Sequence, residues 1–401
     1  MKEAYIYDAV RTPRGKGKAS GALYEVRPIQ LLATLLKALE RRTNLDTTQV
    51  EDLLIGCVTP MDDQGANIAK AALLYAGWSD MVPGMQLNRF CTSGLEAVNL
   101  AATKIRSGWE ELLVAGGVES MSRVPMISDA GPLMFDPDVI NNVGYLPMGV
   151  AADLIATLHQ FSRLDVDTYA VQSQQRALYA QQNGYFEQSI QPIYDLNGLL
   201  ILDKDECIYP ETTLETLSVL PVSFSDHGSQ GFDSIALKKY ANIEHVQHVH
   251  TAGNSARFSD GAALVLLGSK EKGEALGLKP RARIMSEGTA SGDPTKMLHG
   301  SIPAAQKALL RAELTPADID LWEVNEAFAA TAMYFQQHFE IADDRFNVNG
   351  GSIALGHPLG ATGAMLLNTL LDELERRGLR RGLVAVPAGA GMGVATIIEL
   401  M

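Results

Sequence analysis

Asn88-Arg89-Phe90-Cys91-Thr92-Ser93-Gly94-Leu95 joins a short apolar run to an amphipathic one. Residues 85–90 read as a buried strand. Beyond the turn, Val98, Ala101, Ala102 and Ile105 recur at helical spacing, with Thr92 or Ser93 placed to cap. A strand passing through a tight turn into a helix is the repeating unit of an α/β fold. Cys91 lies in that turn. A helix N-terminus leaves backbone N–H groups unpaired and carries roughly half a positive charge. Such a setting favours the thiolate, the nucleophilic form of cysteine. An isolated cysteine is often only a small buried packing group, so the reading needs a partner base. Gly356-His357-Pro358 is the candidate.

The α/β rhythm extends outward from this turn. Residues 4–10 and 52–57 read as strands with a helix over 29–42 between them, and residues 111–115 as the strand after the Cys91 helix. The C-terminal part repeats the layout. A helix is expected over 360–377, with Leu366, Leu370 and Leu374 on one face. Strands over 384–386 and 394–400 then flank Pro387-Ala388-Gly389-Ala390-Gly391-Met392-Gly393. Turn, helix, strand and glycine loop thus occur twice, which points to an internal duplication with halves at 1–270 and 271–401. From about 119 to 250 the rhythm is lost. Turn-rich residues 128–137 alternate there with helical residues 168–182, as in an inserted loop domain carrying substrate contacts.

Composition narrows the function. The chain has 401 residues and 46% apolar content, enough for a sizeable core, and no run is expected to span a membrane. Residues 1–10 lack a basic region followed by an apolar stretch, so no secretory signal is expected. Cys57, Cys91 and Cys207 have no zinc-like spacing and cannot all pair, which points to the cytoplasm. A net charge of −14 argues against nucleic acid as partner. The cationic cluster Arg11-Thr12-Pro13-Arg14-Gly15-Lys16 still leaves room for an anionic small ligand.

Four separated segments carry chemistry: the Cys91 turn, Asn325-Glu326-Ala327-Phe328-Ala329, residues 347–360 around His357, and the glycine loop after Val386. In this order, and together with Val10-Arg11-Thr12-Pro13, Gly116-Gly117-Val118-Glu119-Ser120-Met121-Ser122, Thr251-Ala252-Gly253-Asn254 and Gly391-Met392-Gly393, they closely resemble the thiolase family. The resemblance covers nearly the whole chain. It implies a thiolase fold: α/β, with two duplicated βαβαβαββ halves in five layers and an inserted loop domain. It also implies an acyltransferase that forms an acyl-cysteine from acyl-CoA or 3-ketoacyl-CoA, by thiolysis or Claisen condensation.

By the same resemblance, Cys91 takes the acyl group and His357 acts as its base. Asn325 holds a water that serves with His357 as one oxyanion hole. The N–H groups of Cys91 and Gly389 form another, each donor worth about 3 kcal/mol. Met148, Phe224, Ala252 and Phe328 match the lining of the pantetheine tunnel. Acyl-CoA and CoA are the implied partners, with coenzyme A as substrate and product and no further cofactor or metal. A homodimer or homotetramer is expected.

Pro387 breaks the pattern. The family carries there a second cysteine, which moves the proton at the carbon that becomes a carbanion. Proline has no ionisable group, so the carbon–carbon step is expected to be weakened. Two other readings keep part of the constellation: an acyl-CoA hydrolase or other acyl transferase, and a non-catalytic acyl-CoA-binding subunit of thiolase fold. Ala256 and Arg257 replace the usual serine and glycine near the expected CoA site, and Tyr209 an arginine. His245-Val246-Gln247-His248-Val249-His250 reads as a strand with its histidines on one face, in preference to a metal site.

Overall fold

The computed structural model describes residues 2–401. Nine strands build its main sheet: β1 (Ala4–Arg11), β2 (Asp52–Gly56), β3 (Gly84–Leu87), β4 (Leu112–Ser120), β5 (Ser259–Gly268), β6 (Ala282–Ser291), β7 (Leu321–Val324), β8 (Arg381–Pro387) and β9 (Met392–Leu400). Their spatial order is β7-β8-β9-β6-β1-β5-β4-β2-β3, with the short pair Gly15–Lys16 added on β5. β1, β2, β4, β5 and most of β8 are buried on both faces, so their apolar residues run on without alternation.

The order carries the duplication. In the first half, the first strand pairs with the last, the last with the one before it, and that one with the second: β1-β5-β4-β2. The second half repeats this as β6-β9-β8-β7. Pairing directions match, since β5–β4 and β9–β8 are antiparallel while β4–β2 and β8–β7 are parallel. Even β3, parallel to β2, has a counterpart in the parallel bridge from Trp322 to Phe346. The half-sheets meet where Ala4, Tyr5 and Ile6 pair with Ile284, Arg283 and Ala282.

Two helices fill the space between the half-sheets: α1 (Ser93–Ser107) and α2 (Thr362–Arg377). They pack on each other and on strands of both halves. Every residue of α2 from Thr362 to Leu374 is buried, because a helix between two sheets has no solvent face. Helices over Pro28–Thr43 and Ile68–Ala76 cover the outside of the first half, and Ser301–Ala312 that of the second, which makes five layers.

The insertion between β4 and β5 is mostly helical, with Met148–His159 and Arg163–Gln182 as its main helices. One segment, Pro137–His159, is 23 residues long and apolar enough to cross a membrane by composition. It is two helices broken at Gly144, and the second buries Gly149 to Ala156 in the core. The strand expected around His245 is absent. That segment joins no ladder. It is pinned by the Asp153 carboxylate, which takes His248 Nδ1 and His250 Nδ1, each at 2.7 Å, and the backbone N–H groups of Val249 and His250.

Candidate active site

The site forms where the N-termini of α1 and α2 cross. The crossing needs glycine. A Cβ on Gly94 would stand 2.5 Å from the carbonyl oxygen of Gly360. With that atom absent, the turn before α1, which holds Cys91, and the turn before α2, which holds His357, come together at Gly94 and Gly360. Glu119, at the end of β4, fastens the junction. Its buried carboxylate accepts from the N–H groups of Val58, Thr59 and Gly360, at 2.9, 3.2 and 2.9 Å, and from the Gln64 amide at 2.9 Å.

The Cys91 turn is held by its own polar side chains. Asn88 Oδ1 accepts from the N–H of Phe90, and Ser93 Oγ accepts from that of Arg89. The hydroxyls of Thr92 and Ser93 donate to the carbonyls of Arg89 and Phe90, so neither caps α1 as the sequence suggests. Phe90 takes φ 49°, a strained value for a bulky residue. Its ring thereby reaches the glycine loop, where a Cβ on Gly389 would lie 3.4 Å from Phe90 Cδ2. Cys91, Gly389 and Met148 line one narrow cavity of about 50 Å³. The rest of its wall is mainly apolar, including Val58, Leu133, Met134 and Leu359. The N–H groups of Cys91 and Gly389 have no carbonyl partner among the turn and loop hydrogen bonds of the described residues.

Hydrogen bonds fix the state of His357. Thr362 Oγ1 donates to the carbonyl of Pro358 at 3.0 Å, so its lone pair accepts from His357 Nδ1–H at 2.7 Å. The unprotonated nitrogen is then Nε2. It faces the Asn325 side-chain amide at 3.4 Å, a long contact. Ser352 Oγ donates to Asn325 Oδ1 at 2.6 Å, which turns the NH₂ of Asn325 toward the imidazole. Burial, and then the Arg14 guanidinium, push His357 down to about 3. The ring is therefore neutral at ordinary pH and has a free lone pair.

Cys91 departs from the expectation of a resting thiolate. Burial, and then the Glu119 carboxylate, push its thiol up to about 12. Desolvation outweighs the helix N-terminus. The resting pair is a neutral thiol and a neutral imidazole. A Cys91 thiolate would have to be made by proton transfer to a base.

The four expected tunnel residues are placed unequally. Met148 touches the Cys91 cavity. Its neighbour Gly149 lies under the Phe224 ring, which a Cβ there would meet at 2.3 Å. Phe224 and Phe328 meet edge to face with centroids 5.7 Å apart, and Phe328 also meets His250 edge to face. Ala252 is exposed. Near the departures from the family pattern, Arg257 lies over the Tyr209 ring at 4.0 Å, and its carbonyl accepts the His357 N–H at 2.9 Å. Ser255 beside it keeps a buried hydroxyl without a partner. Pro387 ends β8 opposite Gly393, so the expected thiol position holds only a ring. Sequence reasoning missed Thr362, Ser352 and Glu119 as parts of the site. Glu119 lay inside a quoted motif; the two hydroxyls had no signal beyond proximity to His357. Among the described residues no group of three or more His, Cys, Asp or Glu side chains is arranged to hold a metal.

Comparison with known proteins gives the same answer throughout. Residues 4–231 match the thiolase N-terminal domain, and residues 278–400 the thiolase C-terminal domain. The chain is 39% identical over 420 residues to a beta-ketoadipyl-CoA thiolase of Pseudomonas knackmussii, covering 99% of both. It is 40% identical over 408 residues to a 3-ketoacyl-CoA thiolase of Shewanella putrefaciens, covering all of both. The crystal structure of the Bacillus anthracis acetyl-CoA acetyltransferase superposes with a TM-score of 0.86 at 33% identity, over 100% of this chain and 99% of that one. With both halves matched and the duplicated strand order on the page, the chain belongs to the thiolase family.

Proposed function

We propose that this thiolase-type acyltransferase cleaves 3-ketoacyl-CoA with CoA through an acyl-Cys91 intermediate. The observation that supports it best is the meeting of Cys91 and Gly389 on one apolar cavity whose wall includes Leu359, two residues from a neutral His357 with its proton on Nδ1. In this reading His357 Nε2 takes the thiol proton as Cys91 Sγ attacks the ketone carbon. A base held neutral by burial loses nothing to prior protonation. The N–H groups of Cys91 and Gly389, without carbonyl partners in their turns, receive the oxygen that gains charge at the thioester. The Asn325 amide and His357 do the same for the second thioester, with a water held by Asn325.

The cavity's narrow apolar wall favours a short acyl group on Cys91. The Met148–Gly149 helix start, between that cavity and the Phe224–Phe328 pair, supports passage of the pantetheine arm along it, with Ala252 at the outer end. CoA is then substrate and product. Three unpaired cysteines fit the reducing cytoplasm, and the reading carries a role in fatty acid breakdown. Intact-protein mass after incubation with acetyl-CoA tests it. A mass gain of one acetyl group, lost in Cys91→Ser, is expected. No adduct on the native protein would overturn the reading.

A further inference from the structure

Besides Cys91, three polar side chains line the Cys91 cavity, Thr59, Asp129 and Tyr145, and acylation uses none of them. Tyr145 is 6% exposed and lines the cavity with Cys91, Gly389 and Met148. Burial, and then the nearby Cys91 sulfur, push its phenol up to about 12, and no hydrogen bond contributes. The Tyr145 hydroxyl makes no hydrogen bond to the described residues and is not sealed off, so it is open to an atom of a substrate bound beside the nucleophile.

Cleavage of a 3-ketoacyl thioester needs a proton donor there. When the C2–C3 bond breaks, its electron pair goes to C2, which must be protonated before the product leaves. Pro387 offers no proton. Asp129, on the same wall, is open to solvent. Thr59 is an aliphatic alcohol, a far weaker acid than a phenol. Tyr145 is a neutral donor, buried, and confined to the cavity where the bond breaks.

We propose that Tyr145 is the catalytic proton donor at C2 in carbon–carbon cleavage. The proposal rests on the thiolase reading. Cys91 Sγ gives its proton to His357 Nε2 and bonds to C3. The C2–C3 bond breaks toward C2, and the Tyr145 O–H delivers its proton there, leaving acetyl-CoA and a phenolate. The incoming CoA thiol returns a proton to that phenolate. Its sulfur bonds to the acyl carbon, and the departing Cys91 sulfur recovers its proton from His357.

Two reactions separate this step from acylation. Exchange of labelled CoA into acetyl-CoA passes through acetyl-Cys91 without breaking a carbon–carbon bond. Thiolysis of acetoacetyl-CoA breaks one. Tyr145→Phe is expected to keep the exchange rate and the KM for acetoacetyl-CoA near native, while kcat for thiolysis falls about 10²-fold or more. Adding Pro387→Cys to Tyr145→Phe is expected to restore thiolysis in part. Native-like thiolysis in Tyr145→Phe would overturn the proposal. So would a parallel loss of both reactions without recovery in the double variant, because that is the signature of packing. A native protein that exchanges but does not cleave would sink the role of Tyr145 and leave acyl-Cys91 standing. A native protein that does neither would sink the thiolase reading itself.

Discussion

In the proposed reading His357 acts as a base, and three side chains arrange it beforehand. Thr362 sets the tautomer, Asn325 faces the free nitrogen, and burial with Arg14 keeps the ring neutral. Thr362→Val removes the acceptor for Nδ1–H and is expected to cost about 1 kcal/mol, roughly fivefold in acylation rate. Single-turnover acylation by acetyl-CoA measures it. His357→Ala is expected to nearly abolish that acylation, while Asn325→Ala slows the later transfer more than the first. An unchanged acylation rate in the His357 variant would contradict its assignment. The thiol responds to the same logic. Burial holds up all three thiols, but Cys91 keeps 5% of its surface exposed, on the cavity, while Cys57 and Cys207 keep none. Iodoacetamide is expected to label Cys91 first, and peptide mapping reads the order. Labelling should accelerate as pH rises, since the resting thiol is protonated.

At the scale of elements, the crossing of α1 and α2 decides whether these residues meet. Gly94→Ala places a methyl 2.5 Å from the Gly360 carbonyl oxygen, which is backbone and cannot swing aside. The expected loss is about 1–3 kcal/mol of stability, as for overpacking elsewhere, with a larger fall in acylation than in bulk structure. Urea unfolding beside acylation rates checks it, and an active, native-stable variant would show that the helices can slide. This crossing also explains what the sequence made legible. Strand, turn and helix around Cys91 follow from local spacing, and the same spacing around residues 360–377 exposed the duplication. The His357 tautomer, the Glu119 clamp and the Tyr145 hydroxyl depend on chain segments far apart in sequence, and no periodicity marks them. The segment around His245 shows the converse error. Its alternation is real, since His248 and His250 both reach Asp153, yet a carboxylate organises it and not a neighbouring strand.

Over the whole molecule, a buried histidine and a partly buried one set opposite limits on stability. His357, pushed down to about 3, folds in its neutral form. Its contribution is present above the unfolded value of about 6.5 and is lost as pH falls toward 3. His248 is raised to about 8, first by its hydrogen bond to Asp153 and then by Asp233. Its contribution is complete below about 6.5 and disappears as pH rises through 8. Thermal melts of His248→Gln against native protein should therefore converge between pH 6.5 and 8. A constant offset across that range would assign the difference to packing. We propose that the open edge of β3, whose residues are only partly buried, pairs with a second copy in the expected dimer or tetramer. Light scattering that reports a single 43.2 kDa particle would count against it. The pairing of β1 has a further consequence, for synthesis. Tyr5 leaves the ribosome more than 260 residues before its ladder partners, Gly268 and Arg283. This apolar strand thus waits unpaired while the residues between are translated. A nascent chain released early would expose it together with an uncovered α1, and so depend on holding by chaperones until the last helix arrives.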